Sequence, residues 1–264
     1  MTPLWALGTI GCVMSAVMFA GWAWERRHRN AGIVDVLWAA GMGFAGIWLA
    51  WVGSGDPRPR LLLAILAGVW SLRLALHLWA RVRSEDEDGR YRHLRHYLRD
   101  RGWAFLLFFQ AQALLVVLFA LPFLAVAANP VVSVPWLVAG VLVWAAGLVG
   151  EAVADRQLAA FRADRANAGK VCDVGPWRYS RHPNYFFEWL QWWAYVCLAI
   201  GSPWMALAWL GPVLMYLFLR YLSGIPFTEA QAERTRGDAY RAYRARTPML
   251  FPWFPQERRQ EDIA

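Results

Sequence analysis

Seven mainly apolar runs, at about 3–24, 33–53, 60–80, 103–127, 131–153, 185–201 and 203–222, take up most of this 264-residue chain. A helix that crosses a bilayer needs roughly 20 such residues. So much apolar surface has no aqueous route to burial. The chain is 58% hydrophobic and 17% charged, where a soluble domain carries about 25% charged residues. The expectation is an all-α fold, a polytopic membrane helix bundle of about seven transmembrane helices. A single integral membrane domain covers 1–255, and a short charged tail covers 256–264. The sixth run is the shortest and the most interrupted by polar groups, which fits a partly re-entrant segment.

Charge gives the orientation. Of the 27 Lys and Arg, 23 fall in loops on one side of this pattern, and only Arg58 and Arg60 fall in loops on the other. Lys and Arg are retained on the cytoplasmic side, so the N-terminus reads as outside and the C-terminus as cytoplasmic, in a bacterial inner membrane. The net charge of +8 is then a topology signal and an attraction for anionic membrane lipids. The basic residues are dispersed over four loops, which speaks against nucleic acid as a partner. The first run has its positive charges after it and no basic n-region before it, so it reads as an uncleaved span and not as a signal peptide. Cys12, Cys172 and Cys197 form no CxxC pair and imply neither a disulfide framework nor a zinc site.

The polar stretch 81–101 reads as a helical cytoplasmic loop. A second cytoplasmic helix is expected from about Ala154 to Asn167, stopped by Gly169. Thr228 with Gln231 fits a capping box that starts a helix ending before Pro248.

Ionisable residues inside spans are costly and serve as functional hypotheses. They are Asp35, Arg73, His77, Glu151, Glu188 and Arg220. Arg73 and His77 are four apart and share a helical face; Asn184, Glu188 and Trp192 do the same at i, i+4, i+8. Structural roles suit several of them equally well. Asp35 fits a helix cap or a pair with a loop Arg. Arg73 and Arg220 fit pairs with Glu151 or Glu188, and His77 fits a neutral interhelical hydrogen bond.

The stretch from Arg162 to Trp193 carries the sharpest signal. A cationic loop with Arg162, Arg165, Lys170, Arg178 and Arg181 passes through His182, Pro183 and Asn184 into an apolar segment bearing Glu188. Arginine forks grip phosphate, and Tyr179 and Tyr185 offer rings for stacking. This is the pattern of a phosphate-bearing cofactor held at the membrane face with its reactive end reaching in. GxGxxG, Walker and HExxH motifs are absent, and the five histidines do not cluster as a metal centre requires.

The segment GKVCDVGPWRYSRHPNYFFEWLQWW resembles the C-terminal signature of the steroid 5-alpha-reductase-like integral membrane proteins. With the runs SLRLALHLWARVRSEDEDGRY, EAVADRQLAAFRADRANAGKV and GDAYRAYRARTPMLFPW, the chain is most similar to a bacterial family of uncharacterised seven-span members. The resemblance implies a seven-helix bundle that holds NADPH with its phosphates at the cytoplasmic face. Carried over residue by residue, it implies cofactor contacts from Asp155, Arg162, Asn184, Glu188, Trp192 and Arg244, beside Lys170, Arg178, Tyr179, Arg181, His182 and Tyr185, which the residue pattern of the loop itself offers. Asn184 and Glu188 would orient the nicotinamide amide. Two departures stand out. Phe187 occupies a position that is usually glycine. Trp70 falls near a tyrosine position, and Trp cannot protonate a carbonyl.

The expected function is an NADPH-dependent reductase, passing hydride to a conjugated carbon–carbon double bond of an apolar lipid, steroid-like or isoprenoid, that enters from the bilayer. Asp35, Arg73 and His77 are the candidate catalytic residues. The rival is an S-adenosylmethionine-dependent membrane methyltransferase of the isoprenylcysteine or phospholipid type. Those enzymes pair an RHPxY-like element with an acidic helix, here RHPNY with Glu229 and Glu233. No metal is expected.

Overall fold

A computed structural model describes residues 2–256. Among them the regular structure is entirely helical. In chain order the helices are α1 (Pro3–His28), α2 (Ile33–Val52), α3 (Pro57–Ser84), α4 (Gly89–Tyr97), α5 (Gly102–Ala127), α6 (Val134–Ala163), α7 (Pro176–Tyr179), α8 (Pro183–Leu198), α9 (Met205–Ala208), α10 (Leu210–Leu217) and α11 (Ile225–Arg246). Their starts follow local chemistry. Asp56 accepts the Arg58 amide at 2.9 Å ahead of Pro57, and Asp88 accepts the Arg90 amide at 2.9 Å ahead of α4. Side-chain acceptors at these positions satisfy orphan N–H groups, and proline at the first helical position sacrifices none. Arg60 closes the end of α2 by donating to the Ala50 carbonyl at 2.7 Å and the Trp51 carbonyl at 2.8 Å. One of the two arginines outside the basic face is thereby a helix terminator.

Six helices are long and apolar enough to cross a membrane: α1, α2, α3, α5, α6 and the nearly continuous run Met205–Arg246, whose polar part is α11. The chain is an integral membrane protein. These six, counted among the described residues, stand beside the about seven runs read from the sequence. The sixth expected span is α8, with 16 residues. It rises about 24 Å at 1.5 Å per residue, short of the roughly 30 Å hydrocarbon layer.

Other expectations shift in detail. The second cytoplasmic helix is not separate, because α6 continues without a break to Ala163. A 3₁₀ turn at Arg165–Asn167 and Gly169 at φ 74° follow it. The capping box is not formed. Instead α11 begins at Ile225, and the Thr228 hydroxyl donates back to the Gly224 and Ile225 carbonyls at 3.2 and 3.1 Å. The stretch 81–101 is helical in two pieces, the end of α3 and α4. The charged tail lies outside the described residues from 257 on.

Where the sequence reads as one membrane domain, packing gathers the chain into two compact units. Among the described residues, one comprises those up to Val141 with Tyr195–Gly211, and the other comprises Leu142–Ala194 with those from Pro212 to Gln256.

In the first unit α2 is the central helix, apolar along its length and buried at ten positions. Its glycines set the spacing. A Cβ at Gly46 would lie 2.5 Å from the Ala67 Cβ of α3, and one at Gly41 would lie 2.5 Å from the Met14 Cε of α1. At Gly43 a Cβ would collide with Ser71, whose hydroxyl donates to the Ala39 carbonyl at 2.6 Å. Small residues that let backbones approach are the usual basis of helix association in lipid. Phe105, Phe109, Phe119 and Phe123 of α5 fill the remaining interior.

Below this core, α4 is anchored by Arg95. It lies 2.6 Å from Glu87, 3.0 Å from Asp100 and 2.8 Å from the fully buried Glu25. Removing the cation would strand Glu25.

In the second unit α8 lies tight against α6. A Cβ on Gly147 would run into Gln191, and one on Gly150 would run into the Phe187 ring. The end of α6 joins a small core of Ala154, Cys172 and Trp177, and the Trp177 indole donates to the Ala154 carbonyl at 3.0 Å.

Two substitutions test this packing, read as the midpoint of unfolding in mild detergent. Gly46→Val is expected to destabilise by roughly 1–3 kcal/mol through overpacking. Gly8→Ala, where a Cβ meets nothing within 4 Å, is expected to gain about 0.5–1 kcal/mol from helix propensity. Arg95→Met is expected to cost roughly 3–5 kcal/mol by leaving a buried carboxylate uncompensated, measured in the same way.

Candidate functional site

The second unit assembles most of the residues singled out from the sequence. Its key element is the turn Ser180–Arg181–His182, which delivers the chain into α8. Every part of the turn is tied to α11 or to the strand of chain that follows it. The Ser180 hydroxyl donates to the Leu250 carbonyl at 2.8 Å, and the Arg181 amide donates to the Pro248 carbonyl at 2.8 Å. The Arg181 side chain is nearly buried and divides its donors between Glu229 at 2.7 Å, the Arg244 carbonyl at 2.9 Å and the Thr247 carbonyl at 2.8 Å. The His182 Nε2 lies 3.3 Å from the same Glu229 oxygen, and its ring stacks on Tyr185. The buried Tyr243 hydroxyl donates to the Trp177 carbonyl. Further along, Arg246 pairs with Asp173 at 2.5 Å, and Arg236 donates to the Lys170 carbonyl at 2.9 Å. The end of the chain thus straps the cationic loop.

Arg181 is therefore a joint of the fold, its side-chain donors divided among protein partners, and His182 adds to it through Nε2. Glu229 and Tyr243, which make these ties, carry no role in the sequence reading of the cofactor site beyond the acidic-helix pattern of Glu229. Only their distance in sequence from the loop, 47 to 66 residues, hides them. The Arg162, Lys170, Arg178 and Arg244 side chains remain on the exposed surface, Arg244 pairing with Glu233 at 3.2 Å. Tyr179 is partly exposed and stands edge-on to Phe254.

At the head of α8, Asn184 is held from one side only. Its Nδ2 donates to Asp155 Oδ1 of α6 at 3.1 Å. Its Oδ1 is buried with no hydrogen-bond partner among the described residues. Two turns later Gln191 repeats the arrangement, with Nε2 donating to Glu151 Oε2 of α6 at 2.9 Å and Oε1 buried without a partner. Buried acceptors left empty are uncommon and mark places that a ligand can complete. Trp192 is buried on this helix, and Glu188 is half-buried.

The catalytic candidates belong to the first unit. Asp35, in the first turn of α2, accepts the Tyr91 hydroxyl at 2.6 Å and pairs with Arg90 at 3.3 Å. It lines a small cleft with Asn30, Gly32, Arg81 and Val82. His77 instead stands on the exposed face of α3 with Leu72 and Leu76, and Arg73 is half-buried. Tyr91, absent from the sequence reading, is the nearest partner of Asp35. Burial, and then the charge of Asp35, push its phenol well above 10, so it keeps its proton and donates. Among the described residues no group of three or more His, Cys, Asp or Glu is placed to hold a metal ion.

Burial pushes His182 below its usual range, against the pull of Glu229. The unfolded chain then takes up a proton at this residue before the folded one does. Stability linked to His182 is full above about pH 6.5 and declines as the pH falls below it. Lowering the pH from 7.5 to 5.5 is expected to depress the unfolding midpoint of the wild type more than that of His182→Gln, measured in detergent.

The chain belongs to DUF1295, a family of proteins of unknown function, whose model matches residues 21–247. No curated protein and no solved structure matches it.

Proposed function

We propose that this DUF1295 member is an NADPH-dependent membrane reductase of the steroid 5-alpha-reductase-like type, acting on a conjugated carbon–carbon double bond of an apolar substrate. The observation that carries the reading is the empty buried acceptor of Asn184, in the unit that also carries the exposed guanidinium groups of Arg162, Arg178 and Arg244. A nicotinamide carboxamide supplies the N–H that this oxygen lacks. Asp155, by holding Nδ2, fixes which way the Asn184 amide faces. The residues present therefore fit the cofactor.

In this reading NADPH, when bound, supplies the hydride, and the chain supplies position and electrostatics. Arg162, Lys170, Arg178 and Arg244 hold the phosphates at the surface. Arg181 and His182 keep the turn in shape without touching them. Glu188 and Trp192 line the same side of α8 as Asn184. The one-sided bias of Lys and Arg supports a cytoplasmic phosphate face.

A methyltransferase that uses S-adenosylmethionine is the second reading. One observation favours it: the RHP turn and the acidic helix are joined through Glu229. That joint explains the pairing of the two motifs, but it leaves the Asn184 oxygen unexplained.

The test is ligand-induced thermal stabilisation of the purified chain in mild detergent. NADPH at 100 times its Kd is expected to add about 2.7 kcal/mol of stability, NADH less, and S-adenosylmethionine none. Asn184→Leu is expected to weaken the NADPH response by roughly tenfold in apparent affinity, the loss of one buried hydrogen bond. A shift with S-adenosylmethionine alone would reverse the order of the two readings.

A further inference from the structure

The chain after α11 returns toward α8 and α10 as a loop closed at its base. The Gln256 amide donates to the Arg246 carbonyl at 2.9 Å, so residues 247–255 leave and re-enter at one point, as in a compact Ω-loop. Inside the loop the Pro248 carbonyl accepts the Arg181 amide at 2.8 Å, and the Leu250 carbonyl accepts the Ser180 hydroxyl at 2.8 Å. The Trp253 amide donates to the Tyr179 carbonyl at 3.0 Å. Leu250 is the inward side chain, 1% exposed. The rings are turned outward: Trp253 and Phe254 are each 72% exposed, and Phe251 is 49% exposed. The backbone is thus fixed from within while its largest apolar side chains are left uncovered.

The neighbours of Phe251 set the depth of the loop. Its ring lies 5.3 Å from the Trp189 ring of α8 and 6.2 Å from the Tyr216 ring of α10. Tyr216 belongs to a run apolar enough to cross a membrane. It stands six residues before Leu222, where the helical run gives way to Ser223 and Gly224, roughly 9 Å into that run at 1.5 Å per residue. Trp189 reaches further, its indole donating to the Pro212 carbonyl at 3.0 Å. Val213, one turn from Tyr216, is exposed on the same run. Phe251 therefore extends a helix surface that hydrocarbon covers.

We propose that this loop is a lipid wedge: Phe251, Trp253 and Phe254 insert into the acyl-chain and glycerol region of the leaflet on the basic side of the protein, and the partner is phospholipid. Two observations select lipid. The patch is continuous with the outer surface of a membrane-spanning run, and aromatic rings concentrate at the boundary between hydrocarbon and water. Residues 247–255 also carry no charge, while the exposed Arg244 and Arg246 stand at the base of the loop. That is the pattern of an apolar insert with cations left at headgroup level. Tyr179, edge-on to Phe254 at 5.9 Å, joins the wedge. The turn that leads to Asn184 is then seated by lipid as well as by α11, whichever cofactor the site takes.

The experiment uses the full-length chain, labelled with 5-fluorotryptophan, in nanodiscs of phosphatidylcholine and phosphatidylglycerol with one chain per disc. The Trp253 line is the fluorine resonance missing from Trp253→Phe. A nitroxide on the upper acyl chain of phosphatidylcholine probes lipid contact, and a gadolinium chelate in the buffer probes water. The lipid nitroxide is expected to broaden the Trp253 line more than the chelate does. Phe254→Trp, read as an added line, gives the same measurement if Trp253→Phe does not fold. Stronger broadening by the chelate would place the loop in water and overturn the proposal. Broadening by the lipid no greater than that of the buried Trp70 line, assigned with Trp70→Phe, would also overturn it and would mean that protein covers the patch.

Discussion

The close approach of α8 to α6 is the constraint on which the second unit depends. Gly147 and Gly150 leave no side chain on α6 at the points where Gln191 and Phe187 cross it. At that distance the amides of Asn184 and Gln191 reach the carboxylates of Asp155 and Glu151. A 16-residue helix, shorter than the hydrocarbon layer is thick, cannot rely on its own length to stay in place. Its polar rungs and its glycine seam do that, with van der Waals contact supplying what hydrophobic burial cannot supply between helices in lipid. The same rungs pin both amides by their nitrogens and leave both oxygens open.

Much of this architecture was legible in the sequence, and the parts that were not share a cause. Apolar runs reveal spans because composition alone determines whether a helix is at home in hydrocarbon. Five of the runs became single long helices, and the run at 203–222 became the apolar part of Met205–Arg246. The run at 185–201, read as the shortest, is the 16-residue α8, which starts at Pro183 and ends at Leu198. The capping box failed because Pro226 starts α11 two residues before Thr228, which places that hydroxyl inside the helix. For the site, spacing identified Asn184, but the meaning of Arg181 and His182 was hidden. Basic residues beside a membrane look alike on paper whether they face a phosphate or a glutamate 47 residues away. Tyr91 was missed for the same reason, since its partner Asp35 lies 56 residues back.

The two units spend charge differently. Around Arg95, three carboxylates converge on one guanidinium, and the Arg29 guanidinium beside Asp100 holds its carboxyl down to about 2. Around Glu229, a guanidinium and an imidazole converge on one carboxylate. Both arrangements fasten a charged surface helix to the membrane body, α4 in one case and α11 in the other. Each is local to its own unit, so a loss of charge in one does not disarm the other.

The strap formed by α11 and the residues up to Gln256 has an implication for biogenesis. Translation runs from the N-terminus, so the membrane helices and the arginine-rich loop leave the ribosome before Tyr243, Pro248 and Leu250 exist to hold the loop. A nascent chain stalled at α10 would already be inserted, yet its loop would have no fixed shape. Fastening of the arginine-rich loop is thus a late, post-insertion event, and a premature stop codon before Tyr243 would leave that loop without its ties to Tyr243, Pro248 and Leu250.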